Sequence, residues 1–124
     1  LDKQSADPYS RRTVRVSMAN VFKQRLYILE DPADQLIKLQ QQTNLRIAVT
    51  SLKEDATNLS DWQADQRPVV LVMGNESAGV GDEVEAIASD RLKIPMELGT
   101  DSLNVAVATG ICLYGLEQAY SAIG

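Results

Sequence analysis

Hydrophobic and polar positions fall in blocks of differing period along this chain. The continuous apolar run PVVLVM (68–73) is the mark of a strand covered on both faces of a parallel sheet. LRIAVTSL (45–52) and RLYILE (25–30) read as two more strands, and 91–94 as a short fourth. Helical spacing predicts a helix over 9–22, with Asp7 as cap and Pro8 in its first turn, and Val14, Met18, Val21 and Phe22 on one stripe. Arg11 and Arg15 stand at the rim of that stripe. A second Asp-Pro start opens a helix over 31–44 that buries Leu36, Ile37 and Leu39, and a third helix is expected at about 80–89. The stretch 53–67 is polar around Trp62 and reads as loop. Strand and helix alternate without internal repeats, so the expected class is α/β, a mainly parallel sheet flanked by helices.

The last predicted helix, about 102–120, is apolar nearly all round, from Leu103 and Val105 to Leu116 and Ala119. Such a helix must be covered on more than one side. Gly110 and Gly115 cost helix stability and so suggest close backbone approach by another helix, from a second subunit or from a larger intact protein.

Composition narrows the chemistry. At 124 residues and 44% hydrophobic, the chain suits one globular domain. It has no histidine, which removes Ser-His-Asp and Cys-His nucleophile systems and His-based zinc sites. Its single cysteine, Cys112, removes an internal disulfide and a thiolate metal cluster, so no metal is expected. Nothing resembles a signal peptide or a membrane span, which makes a cytoplasmic address the expectation. Leu1 is not a start methionine, as in a processed or excised chain.

The net charge of −5 is unevenly placed. Residues 1–28 hold Lys3, Arg11, Arg12, Arg15, Lys23 and Arg25 against Asp2 and Asp7, and the acidic excess lies wholly in the remainder. This permits a local phosphate-binding face on an acidic protein, although a solvated helix face reads equally well.

Candidate chemistry gathers between Val69 and Val105. Gly74 and Gly79 have the gap of a phosphate loop, but Val80-Gly81 stand where Lys and Ser/Thr are required, and position 84 is Val rather than the third glycine of a dinucleotide fingerprint. What remains is a glycine-flanked loop leaving the carboxyl end of a buried strand, where ligands bind in open α/β sheets. Ile94-Pro95-Met96 supplies a kinked apolar wall suited to a purine face, and Ser102-Leu103-Asn104 brings polar groups to the start of the final helix. Each has a plainer reading: Glu76 as a solvated loop carboxylate, Ser102 as a helix cap, Asn104 as a turn-capping amide, Ile94 and Met96 as core.

LVMGNESAGVGDEV, LKIPM and DSLNVAVATGICLYG, in this order and spacing, closely resemble the second and third motifs of the SpoU-type members of the SPOUT RNA methyltransferases. ADPYSRRTVRVSMANVF resembles the segment that precedes them. The resemblance implies methylation of a ribose 2′-hydroxyl in tRNA or rRNA, S-adenosylmethionine as cofactor, a C-terminal trefoil knot and a homodimer built around the last helix. It implies cofactor contacts from Gly74, Asn75, Gly79, Ile94, Met96 and Leu103, with Thr50 at the end of the 45–50 strand as a further candidate. Glu76, Ser102 and Asn104 match the family's polar catalytic or site-organising residues, and Arg11, Arg12 and Arg15 are candidates for RNA phosphate.

The family's first motif, an asparagine, a glycine and an arginine, has no match in 1–124. The chain is accordingly expected to be the C-terminal part of one such domain, without its opening strand and substrate-binding extension, and to transfer methyl groups poorly or not at all by itself. In the implied scheme Glu76 orients the family's arginine, while Asn104 and Ser102 hold the loop and the ribose. The alternative is a non-catalytic α/β module that binds an adenine-containing ligand or a protein partner.

Overall fold

A computed structural model describes residues 1–75, 78–97 and 103–124. The chain forms two compact units, Leu1–Gln35 and Leu36–Gly124.

In the first unit the expected helix over 9–22 is broken. Helix α1 covers only Arg11–Val16, and a 3-10 turn follows at Asn20–Lys23. Its cap is Ser10, whose hydroxyl accepts the Thr13 N–H at 3.2 Å; Asp7 instead accepts the N–H of Tyr9 at 2.9 Å. The break lies at Met18 and Ala19, both with positive φ (51° and 61°), a backbone that cannot continue a right-handed helix. The apolar stripe is lost with it, leaving Met18 and Phe22 exposed. The expected strand at 25–30 does not form. Leu29 makes an isolated bridge to Asp2, because a strand needs a partner ladder and within this unit residues 1 and 2 are its only one. Asp31 and Gln35 cap the next helix reciprocally: the Asp31 carboxylate accepts the Asp34 N–H at 3.0 Å, and the Gln35 amide oxygen accepts the Asp31 N–H at 3.3 Å. Pro32 sits at the first helical position of α2 (Pro32–Thr43), as its missing N–H favours. Asn44, with φ 55°, ends the helix in left-handed backbone.

The second unit is built on a parallel sheet of four strands, β1 (Arg46–Thr50), β2 (Thr57–Asn58), β3 (Val69–Val72) and β4 (Asp90–Lys93), in the order β2-β4-β1-β3. Strand β1 pairs with β3 on one side (Ala48 opposite Leu71) and with β4 on the other (Val49 opposite Arg91). The stretch 53–67, expected as loop, contributes the edge strand β2 and a 3-10 turn at Leu59–Asp61 before Trp62 turns into the core. Its polar composition concealed β2 because only two residues pair. Helix α3 is short, Asp82–Ala86, and α4 covers Val105–Ile123.

Strand alternation sorts the core into two layers. Ile47 and Val49 pack with Leu36 and Leu45, joined by Val70, Val72, Val84 and Ile87. On the opposite face Ala48 and Leu92 pack with Trp62 and Leu116 of α4, joined by Leu71 and Tyr120. Helix α4 is covered on one side only. Cys112 and Leu116 are buried, while Val107, Ile111, Leu113 and Tyr114 are exposed. Gly115 lies against Leu59, whose Cδ2 would stand 2.7 Å from an added Cβ, whereas among the described residues nothing lies within 4 Å of one at Gly110.

Candidate functional site

The carboxyl ends of β1, β3 and β4 open into a cavity of about 510 Å³. This lies within the usual size of small-molecule sites, about 300–1,000 Å³. Strand β1 contributes Thr50, and β3 runs out into Met73, Gly74 and Asn75. Strand β4 contributes Leu92 and, just beyond its end, Ile94 and Met96, and the start of α4 supplies Leu103 and Ala108. The wall is mostly apolar, with polar atoms confined to a few positions.

The loop after β3 is closed on itself. Asn75 and Gly79 exchange both backbone hydrogen bonds, N–H to carbonyl at 3.0 and 2.8 Å, and the Asn75 side chain accepts the Ala78 N–H at 3.3 Å. Gly79 has φ 69°, left-handed backbone that a side chain disfavours. Folding back brings Gly79 and Val80 against Gly74, so closely that a Cβ there would meet the Val80 nitrogen at 2.3 Å. Glycine at 74 is therefore a steric requirement of the loop.

Charge enters the cavity wall through Lys53, Asp82, Glu85 and Lys93. The Lys53 ammonium lies 2.8 Å from Glu85, and the Arg91 guanidinium 3.5 Å from the same oxygen. The close contact of the Lys53 ammonium, with the nearby charge of Arg91, holds the Glu85 carboxyl below its usual range although partial burial opposes this. Lys93 donates instead to the Glu54 carbonyl at 3.1 Å.

The opposite, amino ends of the strands carry a different cluster. Arg46 grips Asp90 through two nitrogens, donates to the Gln63 carbonyl at 2.8 Å and lies 4.5 Å over the Trp62 ring. Trp62 donates its indole N–H to Asp90 at 3.2 Å and meets the Tyr120 ring edge-on. Asp65, bonded by Arg67, has its carboxyl lowered to about 2. Burial pushes the Tyr120 phenol and the Cys112 thiol up.

Thr50, Gly74, Asn75, Gly79, Ile94, Met96 and Leu103, chosen from sequence as cofactor contacts, all line this one cavity. Glu76 and Ser102 lie outside the described residues. Asn104 caps α4, its side-chain oxygen accepting the Ala106 and Val107 N–H groups at 2.9 and 3.4 Å. That oxygen serves the helix, so any substrate contact falls to its amide N–H₂ group. Arg11, Arg12 and Arg15 are exposed on α1 in the first unit. Sequence reasoning missed Lys53 and Glu85: Lys53 lay in presumed loop, and no periodicity connects residues that meet only through the fold. Among the described residues no cluster of Asp, Glu and Cys is placed to hold a metal ion, and no helix is long and apolar enough to cross a membrane.

Residues 1–114 match the model of the SpoU rRNA Methylase family. The chain is similar to the tRNA (guanosine(18)-2′-O)-methyltransferase of Aquifex aeolicus, 37% identical over 90 residues that make up 73% of this chain and 42% of that enzyme. Among solved structures it superposes on the AdoMet-bound rRNA methyltransferase of Sinorhizobium meliloti with TM-score 0.85 and 32% identity, covering 95% of this chain and 44% of that one. A putative RNA methyltransferase of the TrmH family from Porphyromonas gingivalis gives TM-score 0.81 and 32% identity over 93% of this chain and 46% of its own. The chain thus spans less than half the length of these relatives.

Proposed function

Because this chain belongs to the SpoU rRNA Methylase family, we propose that it serves S-adenosylmethionine-dependent methylation of a ribose 2′-hydroxyl in tRNA or rRNA. The observation that carries this reading is the cavity at the strand ends. Its volume and apolar wall fit an adenosine with a thioether side chain, and Gly74 and Gly79 of the folded-back loop line it without side chains. Ile94, Met96 and Leu103 would sandwich the purine, while Thr50, Asn75 and the loop backbone would take its polar edges. S-adenosylmethionine, when bound, supplies a methyl group on a sulfonium, already a strong electrophile. The protein's task is then to orient the ribose oxygen and assist loss of its proton. We assign that task to Glu76, Ser102 and Asn104, and contact with RNA phosphate to Arg11, Arg12 and Arg15.

The finer architecture belongs to the same proposal. A trefoil knot at the C-terminal stretch is part of this reading on the strength of the motif resemblance from Leu71 to Gly115. A homodimer through α4 is supported by its exposed Val107, Ile111 and Tyr114. A cytoplasmic setting accords with an RNA substrate. Within this reading the chain is the C-terminal, cofactor-binding part of one methyltransferase domain.

The test is calorimetric titration with S-adenosylhomocysteine, run beside Gly74→Val. Binding by the parent and not by the variant is expected. Equal binding by both would remove the cavity from the reading, and no binding by the parent would overturn the cofactor assignment for this chain.

A further inference from the structure

Lys53 is an unexpected occupant of the cavity wall. The surrounding surface at Leu92, Ile94, Met96 and Leu103 is apolar, yet an ammonium stands at its edge on the segment after β1. The backbone that carries it is fixed on both sides: the Lys53 N–H bonds the Ser51 hydroxyl at 3.3 Å, and the Lys53 carbonyl accepts the Ala56 N–H at 3.1 Å. The side chain is not confined in the same way. It is 62% exposed, while its partner Glu85 is 13% exposed. A compact ammonium on a flexible stem can change partners where a buried carboxylate cannot move.

Glu85 does not depend on Lys53 alone. Arg91 lies 3.5 Å from the same carboxylate oxygen, and another of its nitrogens donates to the Glu85 backbone carbonyl at 3.1 Å. If Lys53 turned toward an incoming anion, Glu85 would still face a cation. Lys93, the other ammonium on the wall, is bound to the Glu54 carbonyl. Releasing Lys53 thus leaves no buried charge uncompensated.

We propose that Lys53 receives the α-carboxylate of the amino-acid end of the cofactor, exchanging Glu85 for it, and so distinguishes the complete cofactor from nucleosides that lack this end. This rests on the cofactor reading above. Glu85 is the resting partner of the ammonium, and with Arg91 beside it keeps a counter-charge after the exchange.

Two probes separate the proposal from its premise: S-adenosylhomocysteine, and 5′-methylthioadenosine, which keeps the nucleoside thioether and lacks the amino-acid end. Dissociation constants would be measured calorimetrically for the full chain and its variants. Lys53→Gln is expected to weaken S-adenosylhomocysteine by about five- to tenfold, the scale of one partly exposed charge-assisted hydrogen bond. It should leave 5′-methylthioadenosine within about twofold, and Lys53→Arg should restore most of the loss. Glu85→Gln, which frees the ammonium, is expected to retain the preference for S-adenosylhomocysteine. Unchanged binding of S-adenosylhomocysteine by Lys53→Gln, or equal weakening of both probes, overturns the proposal while the cofactor reading stands. Loss of the preference in Glu85→Gln overturns it even where Lys53→Gln does not fold. Failure of the parent to bind either probe overturns the cofactor reading and this proposal with it.

Discussion

An added Cβ on Gly74 would lie 2.1 Å from the carbonyl carbon of Gly79, inside any permitted contact. The obstructing atoms are backbone, so no rotamer change relieves the clash, and the loop that lines the cavity must open instead. Gly74→Ala is expected to cost about 2 kcal/mol or more, at the upper side of overpacking effects. It should also abolish S-adenosylhomocysteine binding at ligand concentrations that saturate the parent. Chemical denaturation and titration of the same preparations check both; parent-like binding with an unchanged midpoint would show that the loop has another low-energy path.

The two glycines within α4 should respond oppositely to alanine. Among the described residues nothing stands within 4 Å of a Cβ at Gly110, so Gly110→Ala is expected to stabilise the chain by about 0.5–1 kcal/mol through helix propensity. At Gly115 the Leu59 side chain must give way, and the packing strain of roughly 1–3 kcal/mol is expected to outweigh that gain. Thermal melts of the two variants at low concentration decide this. A destabilised Gly110→Ala at low concentration would show that a neighbour covers that position in solution.

Asp65 gives a stability term with a defined pH window. Its carboxyl is lowered from 3.8 to about 2, chiefly by the hydrogen bond from the Arg67 side chain. A depressed folded-state value means that the stabilisation is fully present above the ordinary carboxylate range and is lost as pH falls from about 4 to about 2. Asp65→Asn is therefore expected to be less stable than the parent at pH 6, with the difference narrowing through this window. Urea midpoints at pH 6, 4, 3 and 2 measure it, and a constant difference across them would assign the effect to something other than this ionisation.

Asp90→Ala should be far more damaging than removal of both partners of its ion pair. Arg46 and Asp90 are only 12% and 16% exposed, so deleting the carboxylate leaves a largely desolvated guanidinium with only the more distant Asp65, 3.6 Å away, as counter-charge, at a cost of about 3 kcal/mol. Arg46→Met combined with Asp90→Leu removes both charges and is expected to recover much of that loss. A double-mutant cycle on denaturation free energies reads the coupling. A double variant as unstable as Asp90→Ala would place the importance of Asp90 in its bond from Trp62.

The parallel sheet was legible through β1 and β3, whose residues are mostly apolar on both faces, and the run 68–73 can be little else. The cavity was legible through motif resemblance: Gly74, Ile94 and Leu103 lie far apart in sequence and meet only because β3, β4 and α4 begin or end at one edge of the sheet. Local periodicity failed where tertiary support was decisive. RLYILE has strand-like residues but no ladder in its unit, and the helix over 9–22 stops where Met18 and Ala19 enter left-handed backbone that no side-chain pattern announces. Strand β2 was hidden in polar sequence because pairing with β4, and no apolar face of its own, makes Thr57–Asn58 a strand. The expectation that α4 is covered on more than one side differs from the single chain, where Cys112 and Leu116 alone are fully enclosed.

The ion-paired cluster around Arg46 and the cavity around Gly74 occupy opposite ends of the same strands and share no residue. Robustness and recognition are thereby placed under separate mutational control. Changes among Arg46, Trp62, Asp65, Asp90 and Tyr120 can raise or lower the tolerance of the chain to heat and acid, while the loops at the other end drift toward new ligands. A lineage can accumulate reserve stability at one edge of the sheet and draw on it at the other, where new binding loops are commonly destabilising.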